Sequence, residues 1–201
     1  TIPDEEVKKN FLTDCADIVV GNPPWGNVSI DDGAAREVLD SIDEWCKSKK
    51  KEMPDKERSQ AFIWRAIELL KHGGSSALLV SSGVLFKSSD KIIRFKQDLL
   101  HSIRLQEVVN FIHVREVFFS SAISPFISIV FKKENPPLGA YINYWTARRT
   151  KVIENTKSVV LSGTDFKFFK QSDTVINDIW KIFYFGNHRD YSLISGLRLS
   201  E

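Results

Sequence analysis

The chain has 201 residues, of which 42% are apolar and 27% are charged, and its formal net charge is +2. This composition is typical of an ordinary soluble globular protein, and the length is sufficient for one domain that buries a sizeable core. Dedicated nucleic-acid-binding domains are usually more basic, so any DNA contact is expected to come from local basic patches. The sequence shows no transmembrane run and no signal peptide, which predicts a cytoplasmic location without membrane partners.

The two cysteines, Cys15 and Cys46, have neither the spacing of metal ligands nor that of a disulfide framework. They are interpreted as reduced thiols without a functional role. No metal site is predicted.

The most informative stretch begins with a lead-in of polar residues 1–14 and a short apolar run, Ile18–Val20, which predicts a buried strand. After Gly21 the sequence reads Asn22-Pro23-Pro24-Trp25. Two successive prolines fix φ and remove two backbone donors, and Asn22 is extended because a proline follows it. The sequence therefore predicts a stiff loop at the carboxyl end of a strand, where open α/β sheets bind ligands.

This loop suits the chemistry of an exocyclic amine. The amino group of adenine is a poor nucleophile because its lone pair is delocalised into the ring. The side-chain oxygen of Asn22 and the carbonyl oxygen of Pro23 are two acceptors for its hydrogens, and binding them draws the nitrogen toward a tetrahedral state. Trp25 offers a face for base stacking, worth about 1–3 kcal/mol. The alternative is a proline-rich turn beside a core tryptophan.

Together, these residues resemble the Asn/Asp/Ser-Pro-Pro-aromatic motif of amino-group methyltransferases that use S-adenosylmethionine. The asparagine form is similar to the N6-adenine DNA methyltransferases of restriction-modification and related defence systems. The resemblance implies that the loop residues Asn22, Pro23, Pro24 and Trp25 are catalytic, and that Asn22 also contacts the cofactor. It covers about residues 15–133 and implies an α/β fold, with the C-terminal half only of a Rossmann-like S-adenosylmethionine-dependent methyltransferase sheet.

The family holds the methionine part of its cofactor with a glycine-rich loop that precedes this motif in several architectures. No Gly-x-Gly loop follows a predicted strand here, and the chain begins at Thr1. We therefore expect the chain to be part of a longer protein and to be inactive alone. Such a partial sheet is expected to expose an edge and an apolar face.

Further along, a helix is predicted from Asp31 or Asp32 to about Lys47, with Trp45 on its apolar face. The lysine-rich residues 47–54 follow, and they are interpreted either as a solvated loop or as a lid that contacts DNA phosphates.

A second helix is predicted over Gln60–Lys71, capped by Ser59 and closed by Gly73 and Gly74, before a strand at Ala77–Ser81. This region resembles the next family motif, in which an aromatic residue packs against the adenine of the cofactor. The matching residue is Phe62. The alternative is a core aromatic, because Phe62 shares a helical face with other apolar residues. His72 is interpreted as a residue of the helix C-terminus and not as a ligand.

A third helix is predicted from Ser89 to about Ser102, followed by strands at Leu105–Phe111 and Phe126–Lys133. The resemblance implies that the second of these strands runs antiparallel beside the first. It also implies that Phe118, with Phe119 as its rival, stacks on a flipped target base held against Trp25. The alternative is that both phenylalanines belong to the core.

Asn135-Pro136-Pro137 repeats the tripeptide, but Leu138 follows it and cannot stack on a base, which predicts a linker turn. The catalytic methyltransferase domain is predicted over 1–135, and a connector or the start of a target-recognition region over 136–201. In this second part a strand is predicted at Ala140–Thr146 and a helix from Asp173 to Tyr184.

The resemblance implies transfer of a methyl group from S-adenosyl-L-methionine to adenine N6 in double-stranded DNA carrying a flipped adenine. A specificity or nuclease domain in the same longer chain is a further possible partner. Two alternatives remain open from the sequence. One is methylation of protein glutamine or of RNA amines, and the other is a non-catalytic DNA-binding module that keeps the fold.

Overall fold

The computed structural model describes residues 13–26, 33–119, 124–156, 158–174 and 178–198. The strands in these ranges are β1 Ala16–Gly21, β2 Leu70–Ser81, β3 Arg104–Asn110, β4 Phe126–Lys132, β5 Tyr141–Thr146 and β6 Phe166–Lys170. The α-helices are α1 Gly33–Ser48, α2 Arg58–Leu69, α3 Gly83–Phe86, α4 Asp90–Ser102, α5 Arg115–Phe118, α6 Lys151–Thr156, α7 Ile179–Phe185 and α8 His188–Arg198. Short 3-10 turns lie at Pro54–Lys56, Ile112–Val114, Gly163–Asp165 and Gln171–Thr174.

The described strands form one sheet in the order β1-β2-β4-β3-β5-β6. β1 is parallel to β2, and β3 is parallel to β5. β4 runs antiparallel between β2 and β3, so that Phe126 pairs with Ser81 and Ile127 with Asn110. The predicted α/β sheet and the antiparallel return of β4 beside β3 are confirmed. The ends of β1, β2 and β3 therefore meet the start of β4 at one edge of the sheet.

The hydrophobic core lies on one face of this sheet. In β2 and β4 most residues alternate between buried and partly exposed positions, as expected when a single face is covered. The core on this face includes very large buried side chains, which are Trp180, Tyr144, Phe95, Phe131 and Phe183. In the described ranges, no helix combines the length and apolar character needed to cross a membrane.

β1 is an edge strand of the described sheet, and two of the three apolar side chains of the predicted buried run are exposed. Ile18 is 70% exposed and Val20 is 75% exposed. These two side chains have the same parity along the strand and share one face, whereas Val19 packs against the core on the other. The apolar run is therefore a strand, as predicted, but the described residues cover only one of its faces.

The boundary between α2 and β2 lies earlier than predicted. α2 ends at Leu69, and β2 already begins at Leu70, so His72 and both glycines of the predicted helix cap belong to the strand. Gly73 and Gly74 exchange backbone hydrogen bonds with Lys133. A Cβ at Gly74 would lie 3.1 Å from the carbonyl oxygen of Asp17 in β1. The glycine pair thus serves close strand packing and not helix termination.

The sheet continues beyond residue 135 into β5 and β6. β6 was not predicted, and α7 begins at Ile179, later than the helix start predicted at Asp173. Tyr144 and Trp180 belong to the same hydrophobic core as β2 and β4. The division into 1–135 and 136–201 stays a prediction about the organisation of the chain.

Gln171 joins the C-terminal strands to α4 and β3. Its side-chain oxygen accepts from the Leu105 backbone N–H at 3.0 Å, and its amide donates to the carbonyl oxygens of Leu100 and Ile103 at 2.7 and 2.8 Å. Gln171 is 3% exposed, so these three backbone groups depend on its side chain for their hydrogen bonds.

Gln171→Ala is expected to lower the free energy of unfolding by about 2–3 kcal/mol, because it leaves buried polar groups without partners. Urea denaturation monitored by circular dichroism measures this loss. The matched control is Ser172→Ala, a truncation at the neighbouring exposed position, which is expected to change stability by less than about 0.5 kcal/mol. An unchanged midpoint for Gln171→Ala would contradict the assigned role.

Candidate active site

The proline-rich loop begins directly after β1, at the sheet edge where β2 and β3 also end. Asn22 and Pro24 are exposed, Pro23 is buried, and Trp25 is half-buried. A cavity of about 360 Å³ lies beside the loop. Its lining residues are Val20, Gly21, Asn22, Ala77, Leu78, Leu79 and Ser128. Asn22 is therefore an exposed residue that lines a cavity, and the volume of this cavity is in the range of ligand pockets, about 300–1,000 Å³.

Trp25 is held by its ring and by its indole nitrogen. Nε1 donates a hydrogen bond to the carbonyl oxygen of Leu79 in β2, at 2.9 Å. The ring stacks on Phe126 with a centroid separation of 4.9 Å and an interplanar angle of 19°. Phe119 packs against it edge-on at 5.5 Å. These contacts fix the orientation of the indole plane before any substrate binds.

Phe126 is the centre of an aromatic cluster made up of Trp25, Phe111, Phe118, Phe119 and Phe126. Phe111 stacks on Phe126 at 5.4 Å, and Phe118 packs edge-on against both of these rings. The structure thus brings Trp25 into contact with Phe119, the rival candidate, whereas the ring contacts of Phe118 are with Phe111 and Phe126. Phe118 is 48% exposed, so it is not a core residue. Its stacking on a base stays a prediction.

Two residues at the start of α2 hold the end of the loop, and sequence reasoning missed both. The Glu57 side chain accepts a hydrogen bond from the Gly26 backbone N–H at 2.8 Å. Arg58 donates to the carbonyl oxygens of Trp25 and Gly26, each at 3.3 Å. The sequence signal for Glu57 was its position just before a predicted helix, but the prediction gave the N-cap of that helix as Ser59. The observed cap is Glu57.

Phe62, the predicted cofactor contact, lies on α2 and faces α1. It is 39% exposed, so the alternative of a core aromatic is wrong. It lines a cavity of about 420 Å³ with Trp45 and Arg65, and the cavity's exposed lining is mostly apolar. An exposed aromatic ring beside an apolar cavity fits a flat heteroaromatic ligand such as the adenine of a cofactor.

The lysine-rich segment after α1 contacts the protein's own side chains. Lys49 forms an ion pair with Glu68 at 2.6 Å. The ammonium of Lys51 lies 4.3 Å from the centroid of the Trp64 ring. These contacts pack the segment against α2, which favours a structural role for the two lysines over a lid that contacts phosphates.

The second Asn-Pro-Pro, at 135–137, connects β4 and β5 and is a linker turn, as predicted. Gly139 adopts a φ of +77°, and Leu138 is 106% exposed. The same tripeptide is therefore followed at this turn by an exposed leucine and not by a packed aromatic residue.

Burial determines the direction of most resolved pKa shifts, whereas the hydrogen bond to Asp43 raises the pKa of Lys47. Burial raises the pKa of the Cys46 thiol to about 11, with a further contribution from Asp43, so this thiol stays protonated at neutral pH. Burial lowers the pKa of Lys96. No group of three or more histidine, cysteine or acidic side chains in the described ranges could hold a metal ion.

The sequence model of the Eco57I restriction-modification methylase family matches residues 4–118. The chain belongs to this family. S-Adenosyl-L-methionine is the expected cofactor of such a methylase, and the Phe62 cavity is compatible with its adenine. No curated protein matches the chain.

Several solved structures share the fold at low sequence identity. The type IIG restriction endonuclease BpuSI gives a TM-score of 0.55 at 14% identity, covering 89% of this chain and 21% of that one. The ATP-dependent type ISP restriction-modification enzyme LlaBIII, solved bound to DNA, gives 0.53 at 13% identity, covering 84% and 13%. A modification subunit assigned to a type I restriction enzyme of Vibrio vulnificus YJ016 gives 0.52 at 16% identity, covering 78% and 34%. The chain thus spans between 13% and 34% of the length of these proteins.

Gly26→Ala is expected to lower the free energy of unfolding by about 1–2 kcal/mol, because residue 26 has a φ of +78°. A Cβ there meets no described atom within 4 Å, so the expected cost comes from the backbone conformation. Chemical denaturation measures it.

Gly163→Ala is the matched control, since its Cβ also meets no described atom within 4 Å but its φ lies outside the left-handed region. This control is expected to be neutral or to stabilise the protein by up to about 1 kcal/mol. Equal effects of the two substitutions would show that the left-handed conformation of Gly26 is not required.

Proposed function

We propose that the protein transfers a methyl group from S-adenosyl-L-methionine to the N6 amine of adenine in DNA, within a restriction-modification or related defence system. One observation supports the proposal most directly. Asn22 is exposed and follows β1 directly, and two prolines separate it from Trp25, whose indole ring is fixed. This arrangement occurs in a chain that belongs to a restriction-modification methylase family.

The loop atoms suit activation of an exocyclic amine. When bound, S-adenosyl-L-methionine supplies an electrophilic methyl group on its sulfonium sulfur. The Asn22 side-chain oxygen and the Pro23 carbonyl oxygen accept hydrogen bonds from the two N6 hydrogens and direct the nitrogen lone pair at that methyl. With this methyl donor bound, the new N–C bond would form as the S–C bond broke, S-adenosylhomocysteine would leave, and the proton on N6 would pass to solvent. Since the amine becomes acidic once methylated, no dedicated general base is needed.

The aromatic cluster is the proposed binding site for the extruded base. A flipped adenine loses its stacking in the duplex and needs replacement contacts with aromatic rings. We assign the face contact to Trp25 and a second contact to Phe118, with Phe119 as the alternative because it already touches Trp25. Phe62 is assigned to the adenine of the cofactor.

Double-stranded DNA is the proposed partner, and basic residues after β5 are proposed phosphate contacts. Because β5 is parallel to β3, its carboxyl end lies at the same edge of the sheet as the end of β3. Arg148 and Lys151, which follow this end, are exposed. Lysine and arginine contacts to phosphates would provide affinity without sequence specificity. We propose that target recognition, and a nuclease if one is present, belong to other parts of the protein.

Asn22→Ala in the full-length protein is expected to reduce N6-methyladenine formation by about 10²–10³-fold, because one of the two acceptors that polarise the amine is lost. The measurement is mass spectrometry of nucleosides from DNA of cells that express each variant.

The matched control is Asn135→Ala, which makes the same change in the second Asn-Pro-Pro, outside the candidate site. It is expected to methylate DNA like the wild type. If Asn22→Ala retained the mark, the catalytic role of Asn22 would be wrong. If the wild type made no N6-methyladenine, the DNA-adenine proposal would fail, and protein or RNA acceptors would be tested.

Phe62→Ala is expected to weaken S-adenosyl-L-methionine binding about tenfold or more, since stacking of a base on an aromatic ring contributes about 1–3 kcal/mol. Isothermal titration calorimetry on the full-length protein measures the Kd. Phe168→Ala is the control, because Phe168 is a half-exposed phenylalanine on β6. Equal affinities of the wild type and Phe62→Ala would remove Phe62 from the cofactor site.

A further inference from the structure

The carboxylate of Glu57 links the candidate catalytic loop to α2 through a single oxygen. Oε1 accepts hydrogen bonds from the Gly26 backbone N–H at 2.8 Å, the Ser59 N–H at 3.3 Å and the Ser59 hydroxyl at 3.1 Å. The Glu57 residue is 9% exposed, so these donors satisfy an anion that is largely removed from water. Its position at the N-terminus of α2 also favours a negative charge.

Arg58 binds the same turn of the loop through two backbone carbonyl oxygens. Its Nε donates to the Gly26 carbonyl oxygen and its terminal nitrogen to the Trp25 carbonyl oxygen. Two donors of one planar group thus engage two successive carbonyls, a geometry that a lysine ammonium does not reproduce. Glu57 and Arg58 together therefore contact one backbone N–H and two backbone carbonyls of a two-residue segment.

These contacts act on the part of the loop that determines where Trp25 points. The left-handed conformation of Gly26 turns the chain immediately after the tryptophan. The indole is fixed by Leu79 and Phe126, and the Trp25 carbonyl is fixed by Arg58. With both its ring and its backbone held, Trp25 has little freedom to tilt away from a stacked base.

We propose that Glu57 and Arg58 are positioning residues for methyl transfer, which hold the Asn22–Gly26 loop in a fixed position relative to α2. The inference rests on the proposed function, because it assigns these two residues to the loop that performs it. Phe62 lies on the same helix, so one rigid element connects the loop that binds the target base to the aromatic residue assigned to the cofactor. The distance between nucleophile and methyl donor then depends on the Glu57 and Arg58 contacts. A misplacement of about 1 Å between reacting groups costs on the order of 10²-fold in rate.

The test uses the full-length protein with the variants Glu57→Ala, Glu57→Gln and Arg58→Lys. Asn187→Ala is the matched control, because the Asn187 side chain accepts from the Arg189 and Asp190 backbone N–H groups and so caps α8, away from the loop. Each variant is measured for single-turnover DNA methylation at saturating cofactor and DNA, for S-adenosyl-L-methionine affinity, and for amide hydrogen exchange in the peptide that contains Gly26.

Glu57→Ala is expected to slow the single-turnover rate by about 30–100-fold while cofactor affinity changes less than about threefold. It is also expected to accelerate exchange at the Gly26 amide. Glu57→Gln keeps an acceptor oxygen and is expected to stay within about fivefold of the wild-type rate. Arg58→Lys is expected to slow methyl transfer, since a single ammonium nitrogen replaces the two separate guanidinium nitrogens that bind the two carbonyl oxygens. Asn187→Ala is expected to lose a similar helix cap, worth about 1 kcal/mol, without a change in rate.

A wild-type single-turnover rate for Glu57→Ala would overturn the inference, as would unchanged exchange at Gly26. An equal loss of rate in Glu57→Ala and Asn187→Ala would assign the effect to general stability and would also overturn it. If the wild type itself failed to methylate DNA, the proposed function would fail on that result. The exchange measurement would still decide separately whether Glu57 holds the loop.

Discussion

The antiparallel insertion of β4 between β2 and β3 is the constraint on which the candidate site depends. Parallel strands alone would bring together the ends of β1, β2 and β3. Because β4 runs in the opposite direction, its first residue, Phe126, lies at the same edge and pairs with Ser81. The ring of Phe126 then becomes the surface on which Trp25 stacks. The pairing of β4 with β2 thus brings Phe126, the first residue of β4, next to the loop that follows β1.

Rigidity of the loop comes from tertiary contacts as much as from its prolines. Two prolines restrict the backbone between Asn22 and Trp25, but they cannot hold the loop against the rest of the protein. Anchoring comes from β2 through Leu79 and from α2 through Glu57 and Arg58. The second Asn-Pro-Pro shows the difference, because Leu138 after it is fully exposed. What distinguishes the first copy is that it follows its strand directly and that a packed aromatic residue comes after it.

Local patterns predicted much of the fold, since helix periodicity and β-branched runs are local properties. The helix at Asp90–Ser102, β4 and β5 agree with their predicted bounds to within one residue. The early start of β2 was missed because Gly73 and Gly74 are typical of helix ends, and only their pairing with Lys133 identifies them as strand. The exposure of Ile18 and Val20 could not be predicted either, because an apolar run does not reveal whether one or both faces of its strand are covered.

The position of the Asn22–Trp25 loop was predicted from the sequence, but the residues that hold it were not. Glu57 and Arg58 are separated from Gly26 by more than thirty residues, and hydrogen bonds to backbone groups leave no pattern in the sequence. The choice between Phe118 and Phe119 likewise depended on side-chain directions in a short helix. Phe119 contacts Trp25, whereas the preceding residue, Phe118, is exposed.

The most direct measurement of the central claim is the chemical identity of the methylated product. The full-length protein would be incubated with S-adenosyl-L-methionine carrying a tritiated methyl group and with unmodified duplex DNA, and the DNA would then be digested to nucleosides and separated. The account predicts that the label in nucleosides co-migrates with N6-methyladenine alone. Label in N4-methylcytosine or 5-methylcytosine, or label found only on protein or RNA added to the same reaction, would contradict it.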